Sequence, residues 1–227
     1  NVSMLKKLSI SLFPFLTYCV FHILLSQLQL AWWDRKQFDD SFYLMINAVL
    51  LMNILIIYLW QKNLLGTNPF DFSGTKWWHF LITLGLGGLV FIFGLNSSRW
   101  FSLPVTTNTN SLNTLLAYSN GQLYLEGFLL WNVLLGPIRE EFFHRMLLME
   151  TYFKASPYYL DVLLSASVFA ASHILPEGNF QAFWIYAIPG ALYAITYRLT
   201  RNIYWPILIH VIWNGYVYVD LIRLVLS

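Results

Sequence analysis

Gly136-Pro137-Ile138-Arg139-Glu140-Glu141-Phe142-Phe143-His144-Arg145 sets two adjacent carboxylates and two guanidinium groups inside a long apolar stretch. An ionisable residue within a membrane span costs at least roughly 2.5 to 3.5 kcal/mol on insertion scales, so a run of four marks a functional site with its partners close by. Gly136-Pro137 is expected to break or kink the helix and to open a new segment with proline in its first turn. In that segment Glu140 and Glu141 point about 100° apart, and Glu141 shares a face with Arg145 at i, i+4 in the favourable order. One carboxylate is thereby held as an ion pair, and Glu140 is left to project elsewhere.

The surrounding sequence decides the fold class. Hydrophobic residues make up 58% of the 227, charged residues only 11%, and Phe, Tyr and Trp together reach 19%. A typical globular chain carries roughly 25% charged residues, and with a mean hydropathy of +0.57 this one reads as an all-α polytopic membrane protein forming a single integral domain over 1–227. One cysteine, Cys19, excludes a disulfide scaffold, and the thin charge, net +2 with no basic run beyond Lys6-Lys7, excludes nucleic acid as a partner. A window of about 20 apolar residues gives seven spans, near 8–30, 41–60, 77–96, 122–136 running on into 137–153, 158–176, 181–199 and 203–226. Asp34-Arg35-Lys36 with Asp39-Asp40 marks the first connection, Asn68-Pro69 the second, and Ser97 to Gly121 a longer polar one. The apolar run from Leu8 lacks a small-x-small cleavage site and reads as a retained first span.

Basic residues set the orientation. An arrangement with the N-terminus inside puts Lys6, Lys7, Lys62, Lys76, Lys154, Arg198 and Arg201 in the cytoplasm, and Arg35, Lys36, Arg99 and Arg223 outside. The excess favours a cytoplasmic N-terminus and an outward C-terminus.

Two more polar places interrupt apolar helices. His173 stands near the end of one, in Val168-Phe169-Ala170-Ala171-Ser172-His173. His210 and Asn214, again at i, i+4, face one way from another. Each has a structural explanation when taken alone: an interhelical hydrogen bond for His173, a salt bridge for Glu141 with Arg145, interhelical glue for His210 with Asn214. All of them lie in the C-terminal part, while the first three spans carry almost no buried charge. Together they supply a general base, an orienting histidine and two hydrogen-bond donors, a set suited to hydrolysis. His22 reads as a core or interface residue and His79 as part of the membrane-boundary belt with Trp77-Trp78.

Glu140-Glu141-Phe142-Phe143-His144-Arg145 fits EExxxR, Phe169 to His173 fits FxxxH, and His210 to Asn214 fits HxxxN. In this order the motifs resemble the CPBP family of intramembrane proteases, which includes the CAAX prenyl endopeptidases and bacterial bacteriocin-processing or immunity proteins; the resemblance covers residues 122–226. It implies a glutamate-type endopeptidase in which Glu140 with His173 activates water, His210 and Asn214 form an oxyanion hole, and Glu141 and Arg145 organise the site without attacking. No cofactor is implied. The resemblance further implies a peptide or protein substrate met in the lipid bilayer, at or near the cytoplasmic leaflet of a bacterial cell membrane, and a role in maturation of a secreted peptide or bacteriocin, or in producer self-immunity.

Three other readings stand beside this one. Zinc hydrolysis would use Glu140, His144, His173 and His210, although no HExxH motif is present. A non-catalytic immunity protein would bind a toxin or its receptor, and a small carrier would use the buried groups as a proton relay. The span layout also sets a geometric problem: measured from the start of the fourth span, Glu140 falls toward the cytoplasm and His173 toward the outside, so their meeting requires a bend at Gly136-Pro137, a shifted boundary or a deep fifth span.

Overall fold

The computed structural model describes residues 4–33, 35, 37–66, 68, 70–103, 107–154, 156–175 and 178–227. Asp34, Lys36 and Pro69, read above as connection markers, lie outside the described residues. The described chain is helical throughout, with no strand beyond an isolated bridge between Phe38 and Ser119.

The first three helices are long. They are α1 (Met4–Trp33), α2 (Asp40–Leu65) and α3 (Trp77–Phe101). The two aspartates of the first connection cap different helices: Asp39 accepts from Phe42 N at 3.0 Å to start α2, while the Asp40 carboxylate accepts from Gln122 N and Leu123 N at 2.9 and 2.8 Å. Gly121 allows the second cap, since its φ of +122° suits glycine and a Cβ there would strike the Asp40 carboxylate. Leu16, Val20, Leu44, Leu55, Leu84 and Leu95 stand exposed along these helices, as expected of a surface facing lipid.

Part of the polar connection is itself helical. Helix α4 (Thr107–Ala117) forms despite its Asn and Thr content because Leu112, Leu115 and Leu116 pack against Phe38, Phe42, Tyr43 and Phe128, so tertiary burial overrides weak propensity.

A helical rod over 124–152 follows, with alternating register: α5 (Tyr124–Leu129), a π segment (Leu130–Leu135), α6 (Gly136–Glu141) and a second π segment (Phe142–Tyr152). The expected break at Gly136-Pro137 is absent as a break in the chain. Leu135 and Gly136 keep right-handed helical dihedrals, and the π register absorbs the proline: Gly136 N–H reaches back to Trp131 O, against which a Cβ at Gly136 would come within 2.9 Å.

The remaining helices are α7 (Leu160–Ile174), α8 (Phe183–Thr200), α9 (Tyr204–Val217) and α10 (Val219–Leu226). The last expected span, 203–226, is two helices with a bend of 76° between them. The bend at Tyr218 sets that ring against Phe128 and turns the exposed Asp220 and Arg223 off the axis of α9. By length and apolar composition, three helices of the described chain qualify as membrane crossings, or four if α9 and α10 count as one, against the seven expected. α7 and α9, with 15 and 14 residues, are shorter than the roughly 20 a straight crossing takes, and the rod carries the charges of 139–145. Apolar helices of this kind make the chain an integral membrane protein.

Candidate active site

Rod and α7 form an antiparallel hairpin, which solves the depth problem. Glu140 lies twelve residues before the rod ends at Tyr152, and His173 lies thirteen residues after α7 begins at Leu160. Equal distances from a turn place side chains side by side, so no bend in the rod is needed for His173 Nε2 to stand 3.9 Å from Glu140 Oε1. α9 brings His210 to the other side, with its Nε2 3.7 Å from Glu140 Oε2.

Glu141 and Arg145 sit behind this group, both with fully buried side chains, 3.0 Å apart. Their contact is close but bent away from hydrogen-bond alignment, so its strength is electrostatic. Other partners complete it: Arg145 donates to Gly190 O at 2.7 Å and lies over the Phe169 and Tyr193 rings, while Glu141 Oε1 accepts from His210 Nδ1 at 2.9 Å. Removing one partner from such a pair costs roughly 3 to 5 kcal/mol.

The hydrogen bonds fix which ring nitrogens are available. His173 Nδ1 lies 2.8 Å from Phe169 O; a carbonyl only accepts, so the proton is on Nδ1 and Nε2 turns its lone pair toward Glu140. His210 is set the same way by Glu141. Each ring is also stacked on a tyrosine of α8: His173 on Tyr186 at 4.5 Å and His210 on Tyr193 at 4.6 Å. These tyrosines, seven residues apart on one helix face, are site components the motif reading missed; their spacing was the available signal.

Asn214 stands one turn beyond His210, and its Nδ2 donates to Asn132 O at 2.8 Å. In the π register of Leu130–Leu135 the helical donor for that carbonyl is the residue five ahead, Pro137, which has no N–H. Asn214 therefore fills a vacancy made by the proline, and one amide proton is left for other work. Arg139, next to Glu140, faces elsewhere: it donates to Asn53 Oδ1 at 2.7 Å and Tyr18 O at 3.1 Å and stacks on the Tyr18 ring, tying the rod to α1 and α2.

Glu140, His173, His210 and Asn214 line one cavity of about 580 Å³, a size suited to a short stretch of peptide. His22 lines it too, whereas His79 lies at the start of α3 against Trp78. His144, a ligand in the zinc reading, is directed away from that chemistry: it is fully buried, its Nδ1 donates to Glu140 O at 2.7 Å, and its ring is packed by Phe143 and Phe169. Among the described residues no three His, Cys, Asp or Glu side chains converge in a way that holds a metal ion.

Residues 122–216 match the model of the family described as type II CAAX prenyl endopeptidase Rce1-like. No curated protein and no solved structure matches the chain significantly. The match runs from the start of the rod nearly to the end of α9, and takes in Glu140, Glu141, Arg145, His173, His210 and Asn214. Over that segment the chain is similar to the Rce1-like type II CAAX prenyl endopeptidases.

Proposed function

We propose that the protein is a glutamate-type intramembrane endopeptidase that cuts a peptide bond within the 580 Å³ cavity. The observation that supports this most is the placing of two histidine Nε2 atoms, 3.9 and 3.7 Å from opposite oxygens of the Glu140 carboxylate. A water hydrogen-bonded at about 2.8 Å to both Glu140 Oε1 and His173 Nε2 subtends roughly 90° at its oxygen, near its own H–O–H angle. One proton then points at the carboxylate and the other at the imidazole lone pair.

In the proposed reaction the water oxygen attacks the scissile carbonyl carbon while Glu140 takes its proton as general base. The carbonyl π pair moves onto oxygen. His210 meets this charge from Nε2 when it carries both ring protons, its own charge facing the Glu141 carboxylate, and the second amide proton of Asn214 is the other donor. Collapse of the tetrahedral intermediate expels the amine, to which Glu140 returns the proton. His173 orients the water, while Glu141 and Arg145 hold the rod and α9 in register. No metal takes part in this scheme. Its physiological setting is peptide maturation or self-immunity in a bacterial membrane.

The test uses the purified protein in lipid vesicles with a peptide mixture, with and without a chelator. Wild type is expected to give defined cleavage products that survive chelation, and Glu140→Gln and His173→Ala to give none while still retaining peptide. Chelation-sensitive cleavage would move the assignment to a metal mechanism. Unchanged products from Glu140→Gln would remove Glu140 from catalysis, and peptide retention without cleavage by any form would favour the toxin-binding reading.

A further inference from the structure

The bundle has two ends of unequal charge, and the cavity belongs to only one of them. The start of α1, the α2–α3 connection, the rod–α7 turn and the α8–α9 turn gather at one end, where Asn202 Nδ2 donates to Asp71 O and Thr75 Oγ1 and Arg201 meets Glu150 at 3.2 Å. At the other end lie the end of α1, the start of α2, α4, the start of the rod and α10, tied by Asn120 N donating to Phe38 O and by the Asp40 cap. Among the described residues the first end carries Lys6, Lys7, Lys62, Lys76, Lys154, Arg198 and Arg201 against Asp71, Glu150 and Asp161. The second carries Arg35, Arg99 and Arg223 against Asp39, Asp40, Glu126 and Asp220.

The cavity runs from Glu140 toward this second end, where Trp33, Leu103, Ser111 and Val217 line it, and no residue of the basic end does so. A cytoplasmic N-terminus and cleavage at the cytoplasmic leaflet, both expected from the sequence, are thus incompatible, because the N-terminus and the mouth lie on opposite sides.

From this we infer that the basic end is cytoplasmic and that the active-site cavity opens on the far side of the membrane. The basic excess at the N-terminal end decides between the two orientations, since Lys and Arg are retained on the cytoplasmic side. Taken with the protease reading, on which this second step rests, the substrate class is an exported peptide or the outward-facing part of a membrane protein. A cytosolic protein tail would have no path to Glu140 in this orientation.

The orientation is read by labelling, independently of activity. In a Cys19→Ser background, single cysteines are placed at the mouth end (Asn113→Cys, Asp220→Cys) and at the basic end (Ser73→Cys, Lys154→Cys), and intact cells are treated with a membrane-impermeant maleimide. The mouth-end cysteines are expected to label at least several-fold more than the basic-end ones until the membrane is permeabilised, after which the difference closes. Labelling confined to the basic end, or equal at both ends in intact cells, overturns the inference. Two sites per end guard against one variant that fails to fold. Peptides in the medium are compared in parallel for wild type and Glu140→Gln. A product lost in Glu140→Gln, with labelling unchanged, supports the substrate class. Its absence alongside mouth-end labelling overturns the protease reading while the orientation stands, and reversed labelling with a Glu140-dependent product does the opposite.

Discussion

Helices α1, α2 and α3 run for 30, 26 and 25 residues, whereas α7, α8 and α9 have 15, 18 and 14. The long helices turn leucines to lipid, and two buried asparagines of α2 serve the rod: Asn47 Nδ2 donates to Gly127 O at 2.9 Å, and Asn53 holds Arg139. The rod and the short helix α9 instead carry Glu141, Arg145 and His210 into the interior, where each has a named partner. One region is organised by the apolar solvent around it and the other by the polar groups it encloses. The first tolerates change in side-chain detail; the second depends on single atoms.

The strongest test of that contrast is Glu140→Gln. The substitution keeps shape and removes the base, so turnover is expected to fall by roughly 10² to 10⁴, with thermal stability and peptide retention near wild type. Single-turnover cleavage in vesicles measures it. Next in size is Arg145→Met, which strands the buried Glu141 carboxylate. It should lower stability by roughly 3 to 5 kcal/mol, read as an earlier loss of helical signal on heating in detergent, whereas loss of stability by the same amount in Glu140→Gln would break the division between organising and reacting carboxylates.

Asn214 separates the two kinds of role within one side chain. Asn214→Ala should destabilise by roughly 1 to 3 kcal/mol by leaving the Asn132 carbonyl unpaired, and should also slow turnover by roughly 10² to 10³ through loss of the second amide proton. Pro137→Ala supplies the N–H that the π register lacks. In that background Asn214→Ala is expected to lose less stability while turnover remains low, and a double-mutant cycle on both readouts reports the difference. Recovery of turnover along with stability would make Asn214 a positioning residue only.

Much of the organising half was legible in the sequence because lipid imposes long apolar runs: α1 to α3 appear where the spans were drawn, slightly extended. The Glu141–Arg145 pair was legible from i, i+4 spacing alone. The meeting of Glu140 with His173 was implicit in the motifs but hidden by measuring depth from the start of the rod; distance from the hairpin turn is what antiparallel packing equalises. Other features depend on contacts that no local pattern encodes. Helix α4 forms because Leu115 finds Phe38 and Phe128, and the 76° bend at Tyr218 follows from packing on the rod. The π register around Pro137 required knowing that Asn214, 82 residues ahead of Asn132, would satisfy the carbonyl the proline leaves bare.

The smallest expected effect lies on the lipid face of α3. Leu84 is 62% exposed, and in a bilayer its neighbours on that side are acyl chains as apolar as its own side chain. Truncation in a protein core costs transfer energy and leaves a cavity, together about 2 to 5 kcal/mol for leucine. Neither cost applies here, because the removed methyl groups pass from one hydrocarbon contact to another and fluid lipid fills the gap. Leu84→Ala is therefore expected to change stability by less than about 0.5 kcal/mol and to leave cleavage unchanged in vesicles. A loss above 1 kcal/mol, seen on heating in bilayers, would mean that this face packs against protein, and the contrast between a lipid-organised scaffold and a partner-organised site would then have to be redrawn along α3.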